Sequence, residues 1–517
     1  MKKKFISPLL LTATTGFISN CFAGTINAEE RENFSTIKPL NVVFILSDDH
    51  RYDYMGFMER LPWLQTPSMD RMAKEGAHIK NAFVTTSLSS PSRASILTGM
   101  YSHNHKVVDN SAPLPDGLTF FPEYLQDTGY RTAFFGKWHM GNDSGEPQKG
   151  FDHWEGFRGQ GEYWNPRINT NGKWIEYGDS TYVTDLLTEH AIEFMKEQQA
   201  NNKQFFVYLS HKGVHDSFSP AKRHKGRYQK ENLVLPPSYN TPKYEITELP
   251  SINPETKKAA EGTAYYGEEM MPDWVKNQRE SWHGVDYSYH GRPWDVQVRN
   301  YCETLLSVDE SIGSVLDFLK EAGLDENTLV IYMGDNGFAW GEHGLIDKRQ
   351  FYEESVRVPM LARCPGLFKG GVVIDKMVQN VDIAPTIMDY LGLQKAEQMV
   401  GYSFIPLLKG ENPEWRERIF YEYYWEHEYP QTPTMHGVRT DRYKYIRYHG
   451  IWDTNEFYDL QEDPAEMKNL IASPDHQDII KNLNHYLYNW LEETDGMNIP
   501  LKRTERPHSD HRNRGNY

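Results

Sequence analysis

A chain of 517 residues with 38% hydrophobic, 25% charged and 13% aromatic residues has globular arithmetic, which excludes disordered, collagenous and coiled-coil classes. Lys and Arg total 55 against 72 Asp and Glu, a formal charge of −17, which argues against nucleic acid as a partner and requires a local basic pocket for any anionic ligand. The length exceeds what one hydrophobic core usually supports, so a large domain carrying a smaller one is expected.

Lys2, Lys3 and Lys4 precede an apolar stretch over 5–18 and small residues before Ala23, which reads as a signal peptide over 1–23 and predicts export, to a periplasmic or surface-associated location. The stretch is too short to anchor as a spanning helix, and no later stretch is apolar enough to span a bilayer. Ile18, Ser19, Asn20 and Cys21 bear a partial likeness to a lipoprotein box, with Asn20 unusual before the cysteine, so a lipid anchor at Cys21 stays open. Cys21, Cys302 and Cys364 are too sparse for a disulfide framework and lack zinc or redox spacing.

Four short apolar runs each end in polar groups. Val42, Val43, Phe44, Ile45 and Leu46 form a continuous run of the kind a buried parallel strand needs, followed by Asp48 and Asp49. Ala133, Phe134 and Phe135 lead into Lys137 and His139; 205–209 leads into His211 and His215; 329–333 leads into Asp335 and Asn336. Helices over 69–75 and 301–322 alternate with these runs, predicting an α/β fold whose large sheet is mostly parallel and flanked by helices. In open sheets of this class ligands bind outside the carboxyl ends of the strands, so the four ends are expected to converge.

Residues 217–293 are polar and weakly periodic and read as a long irregular insertion. After Gly401 the pattern changes. Tyr-rich strands over 418–425 and 442–448, with Ile479, Ile480, Leu483, Leu487 and Leu491 on one helical face, predict a C-terminal antiparallel sheet plus helix. The expected domains are therefore 38–400 and 401–500, with a polar tail over 501–517.

Asp48, Asp49, Asp335 and Asn336 offer only oxygen ligands, which suit a hard cation such as calcium or magnesium. Either pair alone is explained as well by helix or turn capping, but two pairs at two buried strand ends favour a metal, because clustered carboxylates are costly without a cation. In Ser89, Ser90, Pro91, Ser92, Arg93, the proline suits a first helical turn that a serine caps, placing Ser89 at the positive helix end and Arg93 one turn inside, where an anion can be held.

The segment SSPSRASILTG matches the sulfatase pattern of Cys or Ser, any residue, Pro, Ser, Arg, three residues, then Leu, Thr, Gly. With NVVFILSDDH, GKWHMG, GDNG, EHGLIDKRQFYEESVRVPML and FYDLQEDPAEMKNL, the resemblance covers nearly the whole chain after the leader. The chain thus resembles a type I, formylglycine-dependent sulfatase of the alkaline phosphatase superfamily. By that resemblance Ser89 is the residue converted by a formylglycine-generating maturation enzyme, and the hydrated aldehyde is the nucleophile. Asp48, Asp49, Asp335 and Asn336 then fall on the calcium ligands. Arg93, Lys137 and Lys348 polarise the sulfate, His215 protonates the leaving oxygen with Lys348 as the competing donor, and His139 deprotonates the second hydroxyl to expel sulfate. His211 is the structural histidine of its pair, and His343 ranks below the others, as a site contact or an ordering residue of its loop.

The IDKRQFYEESVRVPML, YLSHKGVH and SWHGVDYSYHG stretches look most like N-acetylglucosamine-6-sulfatases. That implies exo removal of 6-O-sulfate from glycosaminoglycans, with Asp347 and Arg349 lining the sugar pocket and the segment around His449, Ile451, Trp452 and Asp453 adding contacts. A sulfatase for galactosamine-6-sulfate or aryl sulfate is the alternative within the class. A noncatalytic receptor for sulfated glycans is the alternative outside it, disfavoured because binding alone needs neither acid nor base.

Overall fold

The computed structural model describes residues 40–141, 144–178, 180–239, 271–281, 283–285, 292–450 and 453–499. The leader over 1–23 with Cys21, the tail over 501–517, and Ile451 and Trp452 lie outside the described residues.

The main sheet takes its strands from most of the chain: β1 (Asn41–Ser47), β2 (Ala77–Ile79), β3 (Arg131–Lys137), β4 (His153–Phe157), β5 (Arg167–Thr170), β6 (Lys173–Glu176), β7 (Phe205–Ser210), β8 (Thr328–Gly334), β9 (Met360–Arg363) and β10 (Val372–Ile374). Their spatial order is β10-β2-β9-β8-β1-β7-β3-β4-β5-β6. The inner run β8-β1-β7-β3-β4 is parallel throughout. Antiparallel pairs enter only toward the margins, at β8-β9-β2 and β4-β5-β6. The expected α/β sheet, mostly parallel at its centre and mixed overall, is what the chain forms.

β1 shows why its sequence is apolar at every position. Val42, Phe44 and Leu46 enter one buried layer, while Val43 and Ile45 enter the other, so both faces are dry. Helices α1 (Pro67–Glu75), α2 (Ser89–Thr98), α3 (Val183–Ala200) and α4 (Trp294–Glu321) surround the strands. The expected 69–75 and 301–322 helices each begin earlier than their periodicity indicated, because Pro67 opens the first and Pro293 precedes the second.

The C-terminal sheet is antiparallel, in the order β11 (Arg418–Tyr423), β12 (Thr434–Thr440), β13 (Tyr443–His449), β14 (Glu456–Asp459). Helix α5 (Gln477–Glu493) packs Ile480, Leu483, Leu487, Trp490 and Leu491 against Val438, Tyr445 and Phe457 of that sheet. The 217–293 stretch departs from its reading as wholly irregular, since Asp273–Arg279 is a short helix that buries Trp274, Val275, Gln278 and Arg279. Two of those four are polar, which hid the helical period. Among the described residues no helix is long and apolar enough to cross a membrane.

Candidate active site

Register brings the four strand ends together. In the ladder Leu46 pairs with both Ser210 and Met333, Ser47 with Gly334, and Ser210 with Gly136. The residues that follow, Asp48, His211, Asp335 and Lys137, therefore emerge along one edge. Gly136 is required for this: its φ is +114°, and a Cβ there would lie 1.9 Å from the Ser210 carbonyl oxygen.

The carboxylates of Asp48, Asp49 and Asp335 are all buried. The Asp49 amide donates to Asp335 Oδ1 at 3.0 Å, and Asn336 Nδ2 donates to Asp49 Oδ1 at 2.7 Å. None of the three carboxylates caps a helix; each meets a cation instead. Lys137 Nζ pairs with Asp48 Oδ2, and Lys348 Nζ donates to both Asp49 oxygens at 2.6 Å. Arg93 Nε donates to Asp335 Oδ2 at 3.0 Å, while its Nη1 holds the Lys137 carbonyl at 2.7 Å and Ser210 Oγ at 2.6 Å.

Ser89 is the first residue of α2, and its hydroxyl donates to Asp48 Oδ1 at 3.2 Å. The expectation that a serine caps this helix is corrected: Leu88, whose side chain has no acceptor, occupies the cap position, and Ser89 is the first helical residue with its hydroxyl on Asp48. His215 Nε2 lies 3.7 Å from Asp49 Oδ2. Ser90 Oγ lies 3.3 Å from His139 Nδ1, and Gln160 Nε2 lies 2.8 Å from its Nε2. The two histidines and Ser89 thus approach the acidic cluster from separate elements.

Electrostatics follow from burial and these pairs. Burial works against the Asp48 carboxylate, but Lys137, Arg93 and Lys348 together hold its pKa well below the usual range. Burial raises that of Asp49 despite Lys348, with Asp48 and Asp335 adding repulsion, and burial and Asp48 raise that of Asp335. Burial lowers Lys137, whereas Asp49, Asp347 and Asp48 outweigh burial at Lys348 and raise it. His139 and His215 fall well below the ordinary imidazole value, through burial first and then through Lys137 for the former and Lys348 for the latter.

Three observations bear on a metal. Asp48, Asp49 and His215 each bring a ligand atom within 4.8 Å of the others. Asn336 Oδ1 is buried without a hydrogen-bond partner, which is costly unless a ligand meets it. The donors at the two Asp-rich strand ends are all oxygens, as a hard cation prefers. The residues fit a divalent cation.

Beside the cluster, Asp347 and Arg349 flank Lys348 with φ of +122° and +86°, an uncommon backbone for non-glycine residues. The alternation sends Lys348 to Asp49 and turns Arg349 Nη1 onto Asp347 Oδ2. Arg349 also donates from Nε to Glu426 Oε1 at 2.8 Å and lies 3.3 Å over the Tyr429 ring. His283 Nδ1 stands 3.8 Å from Asp347 Oδ2. Glu426, Tyr429 and Gln160 were not singled out from sequence, and no motif marks them; His283 lies within the SWHGVDYSYHG stretch that was.

His449 is not drawn into this group. It ends β13 with its ring 5.0 Å from that of His436, and it has no hydrogen bond to Asp347 or Arg349 among the described residues. Asp453 is drawn elsewhere, accepting from the amides of Asp273 and Trp274 at the start of the short helix. His211 is structural, with Nε2 2.9 Å from Ser311 Oγ of α4. His343 stacks on Tyr352 at 3.9 Å and orders its own loop.

Residues 40–393 match the sulfatase family, and 341–493 match the C-terminal region of N-sulphoglucosamine sulphohydrolase. An N-acetylglucosamine-6-O-sulfatase of Bacteroides thetaiotaomicron is 33% identical over 94% of this chain and 90% of its own. Human N-acetylglucosamine-6-sulfatase is 29% identical over 84% of this chain and 80% of its own. A solved structure in complex with its substrate D-glucosamine-2-N,6-O-disulfate superposes with a TM-score of 0.76 at 28% identity, covering 92% of this chain and all of that one. A phosphonate monoester hydrolase from Silicibacter pomeroyi shares the fold, with a TM-score of 0.71 at 20% identity over 91% of this chain and 100% of its own.

Proposed function

Because the chain belongs to the sulfatase family and is a sulfuric ester hydrolase, we propose that its substrate is the 6-O-sulfate of N-acetylglucosamine at the nonreducing end of a glycosaminoglycan. The observation that carries the reading is the Ser89 hydroxyl 3.2 Å from Asp48 Oδ1, at the focus of the buried carboxylates and cations. Similarity to the N-acetylglucosamine-6-sulfatases supports the choice of sugar.

Asp48, Asp49, Asp335 and Asn336 would hold the cation, which we assign as calcium from their oxygen-only chemistry. When bound, it supplies fixed positive charge against the sulfate oxygens. Conversion of Ser89 to formylglycine by a maturation enzyme supplies a hydrated aldehyde in place of a weakly nucleophilic hydroxyl. Arg93, Lys137 and Lys348 aim positive charge at the region where negative charge grows during attack at sulfur. His139, neutral through burial and Lys137, takes a proton at an imidazole nitrogen. His215 delivers a proton to the leaving oxygen after the bound anion offsets the neighbouring lysines, and Lys348, whose proton Asp49 secures, orients the ester. Asp347 and Arg349 bind sugar hydroxyls, with His449 a peripheral contact.

The leader supports export to the periplasm or cell surface, and the strand pattern supports division into 38–400 and 401–500. The test is sulfate release from 6-sulfated N-acetylglucosamine, 6-sulfated N-acetylgalactosamine, a 2-sulfated uronate and an aryl sulfate. Turnover concentrated on the glucosamine ester is expected. Preference for another member of the panel would overturn the substrate assignment and leave the sulfatase reaction standing.

A further inference from the structure

A second concentration of chemistry lies outside the acidic cluster. In a chain of net charge −17, residues 221–230 carry Lys222, Arg223, Lys225, Arg227 and Lys230 and no carboxylate. Such short basic runs are a sequence mark of surfaces that take polyanions. Arg223 is already neutralised by Asp185 at 2.7 Å and Glu310 at 2.6 Å. Lys222 and Lys225 instead line a cleft of about 700 Å³ together with Arg292, and none of these three has a carboxylate partner among the described residues.

The other walls carry aromatic, amide and hydroxyl groups. Trp164 supplies an aromatic surface, fixed by its Nε1 donating to Ser219 Oγ at 3.1 Å and by Tyr182 at 4.8 Å. Asn165 and Ser180 add an amide and a hydroxyl, and Ser180 Oγ accepts from Lys222 Nζ at 2.6 Å. Cations suit sulfate and carboxylate groups, the amide and hydroxyls suit sugar hydroxyls, and the indole suits the C–H face of a pyranose. The volume lies within the range of ligand clefts.

Its walls are also covalent neighbours of the active site. Ser217 and Ser219 follow His215 on one loop, and Tyr163, next to Trp164, donates its hydroxyl to the His215 carbonyl at 2.6 Å. We propose that this cleft is a second, noncatalytic binding site for sulfated polysaccharide, engaging sugars remote from the ester that is cleaved. The proposal rests on the sulfated-glycan reading above, and it implies a preference for long chains over single sugars.

The test uses the full-length enzyme and a Lys222→Ala/Lys225→Ala variant, both positions being exposed. Binding of a heparin dodecasaccharide is titrated at several salt concentrations, alongside kcat/KM on 6-sulfated N-acetylglucosamine. The variant is expected to bind the dodecasaccharide about tenfold more weakly, with the slope of log K against log salt reduced by about 2, since each lysine releases roughly one counterion. Its kcat/KM on the single sugar stays that of the parent. Lys225→Glu alone moves binding the same way.

Unchanged affinity and slope would overturn the proposal, as would an equal loss on the single sugar, which would make the cleft part of the catalytic pocket. Duplex DNA bound by the parent as tightly as heparin would also overturn it, in favour of a general polyanion surface. Loss of dodecasaccharide binding in a variant whose parent releases no sulfate from any 6-sulfated glucosamine would uphold the cleft and sink the substrate assignment instead.

Discussion

Arg93 ties together three parts of the site, so its removal is the most informative single perturbation. Arg93→Ala deletes a charged pair to Asp335 at 2.8–3.0 Å, removes the donor to Ser210 Oγ at 2.6 Å, and removes one of the two donors to the Lys137 carbonyl, at 2.7 Å, leaving that from Ser210 Oγ at 2.8 Å. Breaking a buried pair by removing one partner typically costs about 3–5 kcal/mol, and here Asp335 is left fully buried beside Asp48. For a folded unit of this size, a loss near 4 kcal/mol lowers the melting temperature by about 4 °C, from an unfolding entropy of about 2 cal/mol/K per residue. Loss of one charge-stabilising donor also lowers kcat by about 10²- to 10³-fold. Arg93→Lys keeps the charge against Asp335 but not the three-way fork, so it falls between. The assays are thermal melting with saturating calcium and steady-state sulfate release. A melting temperature within 1 °C of the parent, with kcat reduced less than about threefold, would refute the reasoning that Arg93 organises this edge.

Thorough chelation is expected to abolish sulfate release and lower the melting temperature, both restored by calcium, because three buried carboxylates then repel with only protein cations between them; no change in either would contradict the ligand assignment. Arg349→Lys loses the 3.3 Å stacking on Tyr429 and the fork to Asp347 and Glu426, and is expected to lower kcat/KM on sulfated glucosamine by about 10- to 100-fold while sparing a small aryl sulfate; equal losses on both would remove Arg349 from sugar recognition. Burial pushes the Glu456 carboxyl up to about 7 from 4.5, against the lowering effect of the Tyr448, Tyr458 and Tyr352 hydroxyls around it. A raised folded pKa contributes stability that is complete below about pH 4.5 and lost as pH rises to about 7, amounting to about 3 kcal/mol. Glu456→Gln should therefore make the melting temperature fall less steeply across that window, and a pH profile that stays parallel to the parent's would show that Glu456 does not contribute to the dependence.

The parts of the fold legible in sequence are those with strong periodicity. A strand buried on both faces must be apolar at every position, so 42–46 and 329–333 announced β1 and β8, and the Asp and Asn residues after them announced the site. β2 and β10 are only three residues long and β6 is four, with Trp174 and Ile175 between charged ends, too little to carry a pattern. Residues that act through distant loops were equally silent. Glu426 reaches Arg349 across 77 positions and Gln160 reaches His139 across 21, contacts set by tertiary packing and by no local rule. The serine cap failed for a related reason: the propensity of Ser for a helix start is local, whereas the Ser89 hydroxyl meets Asp48, which follows β1 and is 41 positions away. His449 lies at the end of β13 with its ring 5.0 Å from that of His436, a placement that no local pattern in the sequence indicates.

That residue 89 works only after conversion is tested by peptide mass spectrometry of residue 89 paired with sulfate release on the same preparations. Turnover on 6-sulfated N-acetylglucosamine should scale with the fraction converted to formylglycine and vanish in Ser89→Ala, with the fold unchanged. Full turnover from protein in which residue 89 is entirely serine, or is alanine, would rule out formylglycine as the nucleophile.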